Sequence, residues 1–249
     1  IMQSRHAAIV LAAGAVLALS VPANAGQDLP RTPWGAPDLQ GIRNNWATTP
    51  LEQWTDGERA QGRAAQRPVI EATRGTSAAC PGQRGPLDHP SLIVDPPNGR
   101  LPPLTAAAER RINSPERRLL KDVREGLAPA DSYTQFDVGD RCIWYRGVPS
   151  LPTAYNNNYL IVQTPDLVAI VQEHIHDVRY IPLDGRPHID QGIDQYAGDS
   201  RGHWEGDTLV VETTHFGSRA YLFLSGPDGP QGGTNWHLSG AQRVVERFT

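Results

Sequence analysis

After its first residues the sequence has no run of roughly eighteen consecutive apolar side chains, the length a membrane-crossing helix needs. Its formal net charge is only -4, and no dense basic stretch occurs. A chain without concentrated positive charge is a poor partner for nucleic acid, whose phosphates demand it. Neither a glycine-rich phosphate loop nor a dinucleotide-binding fingerprint is present. Ser200 stands in GDSRG, but it lacks the strand-to-helix elbow that a serine nucleophile in this spacing requires, so a serine hydrolase is not expected. Cysteine is scarce: Cys80 and Cys142 are the only two.

The one apolar run of any length is at the start. Arg5 precedes Ala7 to Leu19, and Ala23-Asn24-Ala25 follows as a small-x-small cleavage pattern. This order is that of a secretory signal peptide spanning residues 1–25, with Gly26 as the mature start. The run is too short and too alanine-rich for a membrane span. No cysteine follows the cleavage site, which argues against a lipid anchor. Ile1 ahead of Met2 reads as a start upstream of the true one. The expectation is a soluble, exported protein in the periplasm or beyond. In that setting Cys80 and Cys142 are expected to form a disulfide. Such a bridge closes a loop of about 60 residues and restricts the unfolded chain by roughly 4 kcal/mol. A free thiol pair, or pairing with a cysteine beyond Thr249, is the alternative.

Texture divides the remainder in two. Residues 26–147 are irregular, rich in proline, glycine and arginine. TPWGAPDLQG at 32–41 is turn chemistry around one aromatic anchor, Trp34. Leu92 to Arg100 reads as a short strand ending in a turn. Thr105 to about Arg124 reads as a helix: Thr105 can cap it, alanine and glutamate lie near its start, and basic residues crowd its second half. Pro115 predicts two short helices or a kink.

Residues 148–249 read as strands. Tyr159 to Thr164 is one β-branched, apolar run, Pro165-Asp166 a turn, and Leu167 to Tyr180 a long second run. Asp199 to Trp204 and Thr208 to Thr214 read as a hairpin turning at Glu205-Gly206. A last strand begins near Gln242. Consecutive hairpins without intervening helices predict a mainly β protein, an antiparallel meander closing as a barrel or folding as a sandwich. The final strand stops at Thr249, so further strands are expected beyond it.

Polar chemistry concentrates in these strands and their loops. On an unbroken strand, His174 and His176 share one face and Asp177 and Arg179 the other. Two histidines two residues apart can both reach one metal ion, with a third ligand from His188, His203, His215 or Glu212. A bare His-x-His is a weak signal, and hydrogen-bonded polar residues at a strand end are the plainer explanation of His174 and His176; a divalent metal is the other, and a periplasmic setting then favours zinc or copper. Asp177 and Arg179 can form an ion pair or clamp a carboxylate. Arg186 and His188 lie in a loop after a glycine turn, where a rigid sheet can present them to a ligand. Tyr155-Asn156-Asn157-Asn158-Tyr159 offers amides that either satisfy the loop backbone or wall an oxygen-rich ligand. Asp199, Arg201 and His203 alternate onto one strand face, as a salt-bridge ladder or an acid/base set. Trp204 then belongs to the core.

Four stretches carry a resemblance: TPWGAPDLQG at 32–41, SLIVDPPNGRLPPLT at 91–105, YNNNYLIVQTPDLVAIVQEHIHDVRYIPLDGRPH at 155–188 and GDSRGHWEGDTLVVETTHF at 198–216. In these the chain resembles an uncharacterised family of exported bacterial proteins. The resemblance covers nearly the whole chain after the leader. It implies export, a shared fold and continuation past Thr249. Members typically carry tryptophan where Arg43-Asn44 stands here, which bears on the packing of the N-terminal arm. The resemblance assigns no catalytic residue.

From the residues themselves, the expected activity is acid/base chemistry of a lyase, isomerase or hydrolase on a small organic molecule. His176 is the candidate base, the natural one near neutral pH. Asp177 or Asp199 balances charge, and Arg179, Arg201 or His188 holds an anionic or phenolic oxygen. The alternative is a non-catalytic β-barrel that binds a small molecule in an apolar cavity.

Overall fold

A computed structural model describes residues 30–45, 51–53, 55–57, 91–124, 126–136, 138–144, 148–149, 151, 156–175, 177–217, 221–223, 235–237 and 241–249. The leader, Cys80 and His176 lie outside them. The protein is mainly β. Strands β1 (Gly41–Asn44), β2 (Asn158–Gln163), β3 (Leu167–Gln172) and β4 (Val178–Pro182) form an antiparallel sheet in the order β1-β2-β3-β4. Strands β5 (Asp199–Glu205), β6 (Thr208–Thr214) and β9 (Val244–Phe248) form a second antiparallel sheet in the order β5-β6-β9. Between β6 and β9 the chain makes a separate pair from β7 (Tyr221–Phe223) and β8 (Asn235–His237). The expected single meander is therefore interrupted, and the described strands do not close into a barrel.

The irregular half folds as its punctuation predicts. Helix α1 (Ala106–Ile112) is capped by Thr105, whose hydroxyl accepts from the Ala108 amide at 3.2 Å. Pro115 opens a separate helix α2 (Pro115–Arg124), since proline suits a first turn and not an interior. Leu92 to Arg100 is not a strand. Its polar groups are served locally instead: the Ser91 hydroxyl donates to Ile93 O at 2.8 Å and the Gly99 amide to Pro96 O at 2.9 Å. Cys142 is exposed and carries a free thiol, contrary to the expected bridge to Cys80.

The N-terminal arm is held by β2 rather than by its tryptophan. Buried Gln163 donates from Nε2 to Pro37 O at 3.0 Å and accepts from the Leu39 amide at 3.1 Å. Trp34 remains 40% exposed. Docking Leu39 this way leads the chain into β1, which pairs with β2 from Gly41↔Ile161 to Asn44↔Asn158.

Alternation decides which face of each sheet is buried. Tyr159, Gln163, Val168, Ile170, Gln172, Arg179 and Ile181 are buried on one face of the first sheet. Val168, Ile170 and Ile181 join Leu209 and Val211 of β6 in one apolar cluster, with Trp204 and Phe248 packed against it. The two sheets thus share a core. Leu160, Val162, Val178 and Tyr180 point the other way and stay exposed. A second cluster, Val138, Trp144, Val148 and Phe216, lies beyond the end of β6.

The long strand expected from Leu167 to Tyr180 is broken. Residues 173–175 turn, with Ile175 at φ 60, and β4 folds back on β3 in the register Leu167↔Pro182 to Val171↔Val178. The reason is compositional: Glu173, His174 and Asp177 interrupt the apolar pattern, and the turn leaves Glu173 exposed. His174 therefore lies in the turn and on no strand face. Arg179 is carried to the buried face, and the carboxylate it meets is that of Glu246 on β9, at 2.5 Å.

Candidate functional site

The second sheet turns Ser200, Gly202, Trp204, Leu209, Val211 and Thr213 toward the shared core, so Asp199, Arg201, His203, Glu212 and Thr214 occupy its other face. Pairing places Asp199 opposite Thr214 and Arg201 opposite Glu212. The loop from Leu183 to Gly198 brings His188 onto this face. His188 Nδ1 lies 2.6 Å from Asp199 Oδ2, and its Nε2 lies 3.5 Å from Glu212 Oε1.

Asp199 is the organising group. It is buried, and each oxygen has work. Oδ1 accepts from Arg201 at 2.7 Å, and Oδ2 faces His188 and accepts from the Ile189 amide at 3.3 Å. Arg201 reaches further, donating from Nε to Pro187 O at 3.0 Å. One carboxylate and one guanidinium therefore strap the loop to β5. A buried carboxylate with a cation and several donors is a satisfied charge, which a lone one would not be.

His215 completes the group. It follows the last residue of β6 and adopts φ 58, a left-handed conformation uncommon for a residue with a Cβ. The surrounding chain holds it there: the Gln195 amide donates to His215 O, and the Gly217 amide to Gln195 O, both at 2.9 Å. The reversal lays its ring against that of His188, centroids 5.7 Å apart and planes 30° from parallel. Its Nδ1 is 2.6 Å from the Thr214 hydroxyl. A ligand atom from each of His188, Asp199 and His215 lies within 4.8 Å of the others, the only such group among the described residues.

Glu212 borders the group and is paired with Arg243. That guanidinium holds the Glu212 carboxyl below the usual carboxylate range, with His188 adding to the effect. A depressed folded-state pKa contributes stability that is fully present above the unfolded value of about 4.3 and is lost as pH falls through the lower folded value. Arg243→Gln is expected to remove this contribution. The difference in melting temperature between parent and variant should narrow below about pH 4. A gap that stays constant from neutral pH to strong acid would contradict the assignment.

Of the residues singled out in the sequence, His188, Asp199 and Arg201 converge. Arg179 does not join them: it is buried between the sheets with Ser200, Thr213 and Glu246. His174 sits at the β3–β4 turn, 2.8 Å from the Asn156 amide through Nδ1, and Asp177 lies in the same turn. His203 is exposed at the far end of β5 beside Glu205, 3.1 Å away. Arg243 and Thr214 were not anticipated. A hairpin turning at Glu205-Gly206, as the sequence suggested, would set Asp199 opposite Glu212; the turn at Gly206-Asp207 sets it opposite Thr214 instead, while Arg243, just before β9, arrives from far along the chain with no local signal. No family model, curated protein or solved structure matches the chain.

Proposed function

We propose that the chain is an exported enzyme performing acid/base chemistry, of the lyase, isomerase or hydrolase kind, on a small organic molecule. The signal-like leader supports export, and the two sheets with a shared core are read as the layers of a sandwich. The observation that carries the reading is the His188–Asp199 contact at 2.6 Å beside a second imidazole, His215. Asp199 fixes the ring of His188 through Nδ1, as an orienting carboxylate does for a general base. His188 is partly exposed, so a substrate can reach it. Arg201 and Arg243 flank the pair and provide positive charge for an anionic or phenolic oxygen. His188 thus takes the role that the sequence alone assigned to His176.

The reading is tested by offering the purified protein a panel of small carboxylic acids, phenols, esters and lactones. Any turnover found should fall at least about a hundredfold in His188→Ala, with little change in KM. Equal rates in parent and variant, or binding without turnover across the panel, would overturn it.

A further inference from the structure

We infer that His188, Asp199 and His215 form a binding site for one divalent transition metal ion of the zinc class. The inference builds on the proposed proton-transfer site for what the metal does there, but the binding itself rests on geometry alone.

The donor set comes first. Two imidazoles and one carboxylate with mutually close ligand atoms match a catalytic zinc site, where three protein ligands leave a position open for water or substrate. Magnesium and calcium prefer all-oxygen shells, so two imidazoles select against them.

The groups around the three ligands are arranged as a metal site requires. A ligating histidine normally offers one nitrogen to the metal and gives its other N–H to a nearby acceptor, which fixes ring and tautomer. His215 Nδ1 is engaged by the Thr214 hydroxyl at 2.6 Å, leaving Nε2 for a metal. His188 Nε2 faces Glu212 Oε1 at 3.5 Å, leaving Nδ1, the nitrogen already beside Asp199. Asp199 gives Oδ1 to Arg201, leaving Oδ2. Each proposed ligand atom thus has an outer partner on the far side of its own group. The φ of 58 at His215 is an independent sign, because such conformations concentrate where a side chain must be aimed.

Charge then decides what the ion does. Asp199 and Glu212 are balanced by Arg201 and Arg243. With neutral imidazoles the cluster carries no net charge, and a divalent ion leaves it strongly positive. That favours a bound hydroxide, since zinc lowers the pKa of its water to about 7, and it favours an anionic substrate. In the metal-loaded protein the proton acceptor is this hydroxide, and His188 serves as a ligand.

The test uses the full chain, stripped with chelator and titrated with Zn²⁺ by calorimetry, with Co²⁺ as an optical probe. One equivalent should bind, and cobalt should give the visible spectrum of a low-symmetry imidazole–carboxylate site. His215→Gln, checked for folding by near-ultraviolet circular dichroism, should lose binding at least a hundredfold. Thr214→Val keeps all three ligands and should weaken binding about 10–100-fold, the usual effect of removing an outer partner. His203→Ala should bind as the parent does. Absence of stoichiometric binding, or binding that survives His215→Gln unchanged, overturns the inference. Metal binding without turnover of any substrate would sink the enzyme reading and leave the site standing; turnover with no stoichiometric metal binding would do the reverse.

Discussion

Arg179→Met is expected to destabilise the protein by about 3–5 kcal/mol, the usual cost of stranding one member of a buried ion pair. Arg179 is 3% exposed and its partner Glu246 11%, with 2.5 Å between them. The guanidinium also donates to the Ser200 hydroxyl at 2.9 Å and the Thr213 hydroxyl at 2.7 Å. It links β4 of one sheet to β5, β6 and β9 of the other. Methionine keeps much of the volume, so the loss reports the uncompensated Glu246 charge rather than a cavity. The two hydroxyls remain 2.9 Å apart and can satisfy each other. Pairing the change with Glu246→Leu should therefore recover most of the lost stability, because an apolar pair of similar volume is often neutral or better. Denaturant midpoints of the parent, the two single variants and the double variant give the result. A single variant within about 1 kcal/mol of the parent would show that water reaches Glu246.

Gly198→Ala is expected to cost about 2–4 kcal/mol, from two sources that can be separated. Gly198 has φ 70, which a side chain adopts only with strain. A Cβ there would also lie 2.6 Å from Thr214 O, 2.7 Å from Thr213 Cγ2 and 2.8 Å from Phe216 Cε1. Thr214 O is backbone, and Phe216 is fully buried, so neither can easily retreat. Gly185 has nearly the same φ, 74, with open space around it. Gly185→Ala should therefore show the conformational part alone, about 1 kcal/mol. Equal losses at the two positions in chemical denaturation would remove the packing explanation. Because Gly198 immediately precedes Asp199, the same change should also displace the carboxylate that straps the loop.

How much of this was legible in the sequence depended on the range of the signal. Thr105 and Pro115 gave the two helices, because caps and proline act within one turn. The ends of β6 followed from its β-branched run and bounding turns. The buried face of β2 was not legible: Tyr159 and Ile161 on one side and Leu160 and Val162 on the other are equally apolar, and only the second sheet decides between them. The break at 173–175 was missed because apolar runs on both sides, and Ile175 between them, masked the polar residues Glu173, His174, His176 and Asp177. Arg179 was read, by proximity along the chain, as pairing with Asp177 or clamping a carboxylate with it, whereas its partner Glu246 comes from β9. Of the candidate cluster, His188, Asp199 and Arg201 were singled out because polar groups stood at a strand end and its loop. Their convergence with His215 was not, since it depends on a left-handed turn and on a loop closing over a sheet.

The β5–β6 hairpin closes through Gly206 and Asp207, with Glu205 opposite Thr208 and Gly206 at φ 62. From that two-residue turn the pairing runs along both strands until Asp199 meets Thr214, roughly 20 Å away. Side chains on a strand have a period of two, so one residue added to or removed from either arm would rotate Asp199 and Arg201 into the apolar interior and Ser200 outward. The spacing of the polar cluster is thus written at the opposite tip of the hairpin. A change in length there would act as an all-or-none inversion and not as a gradual loosening.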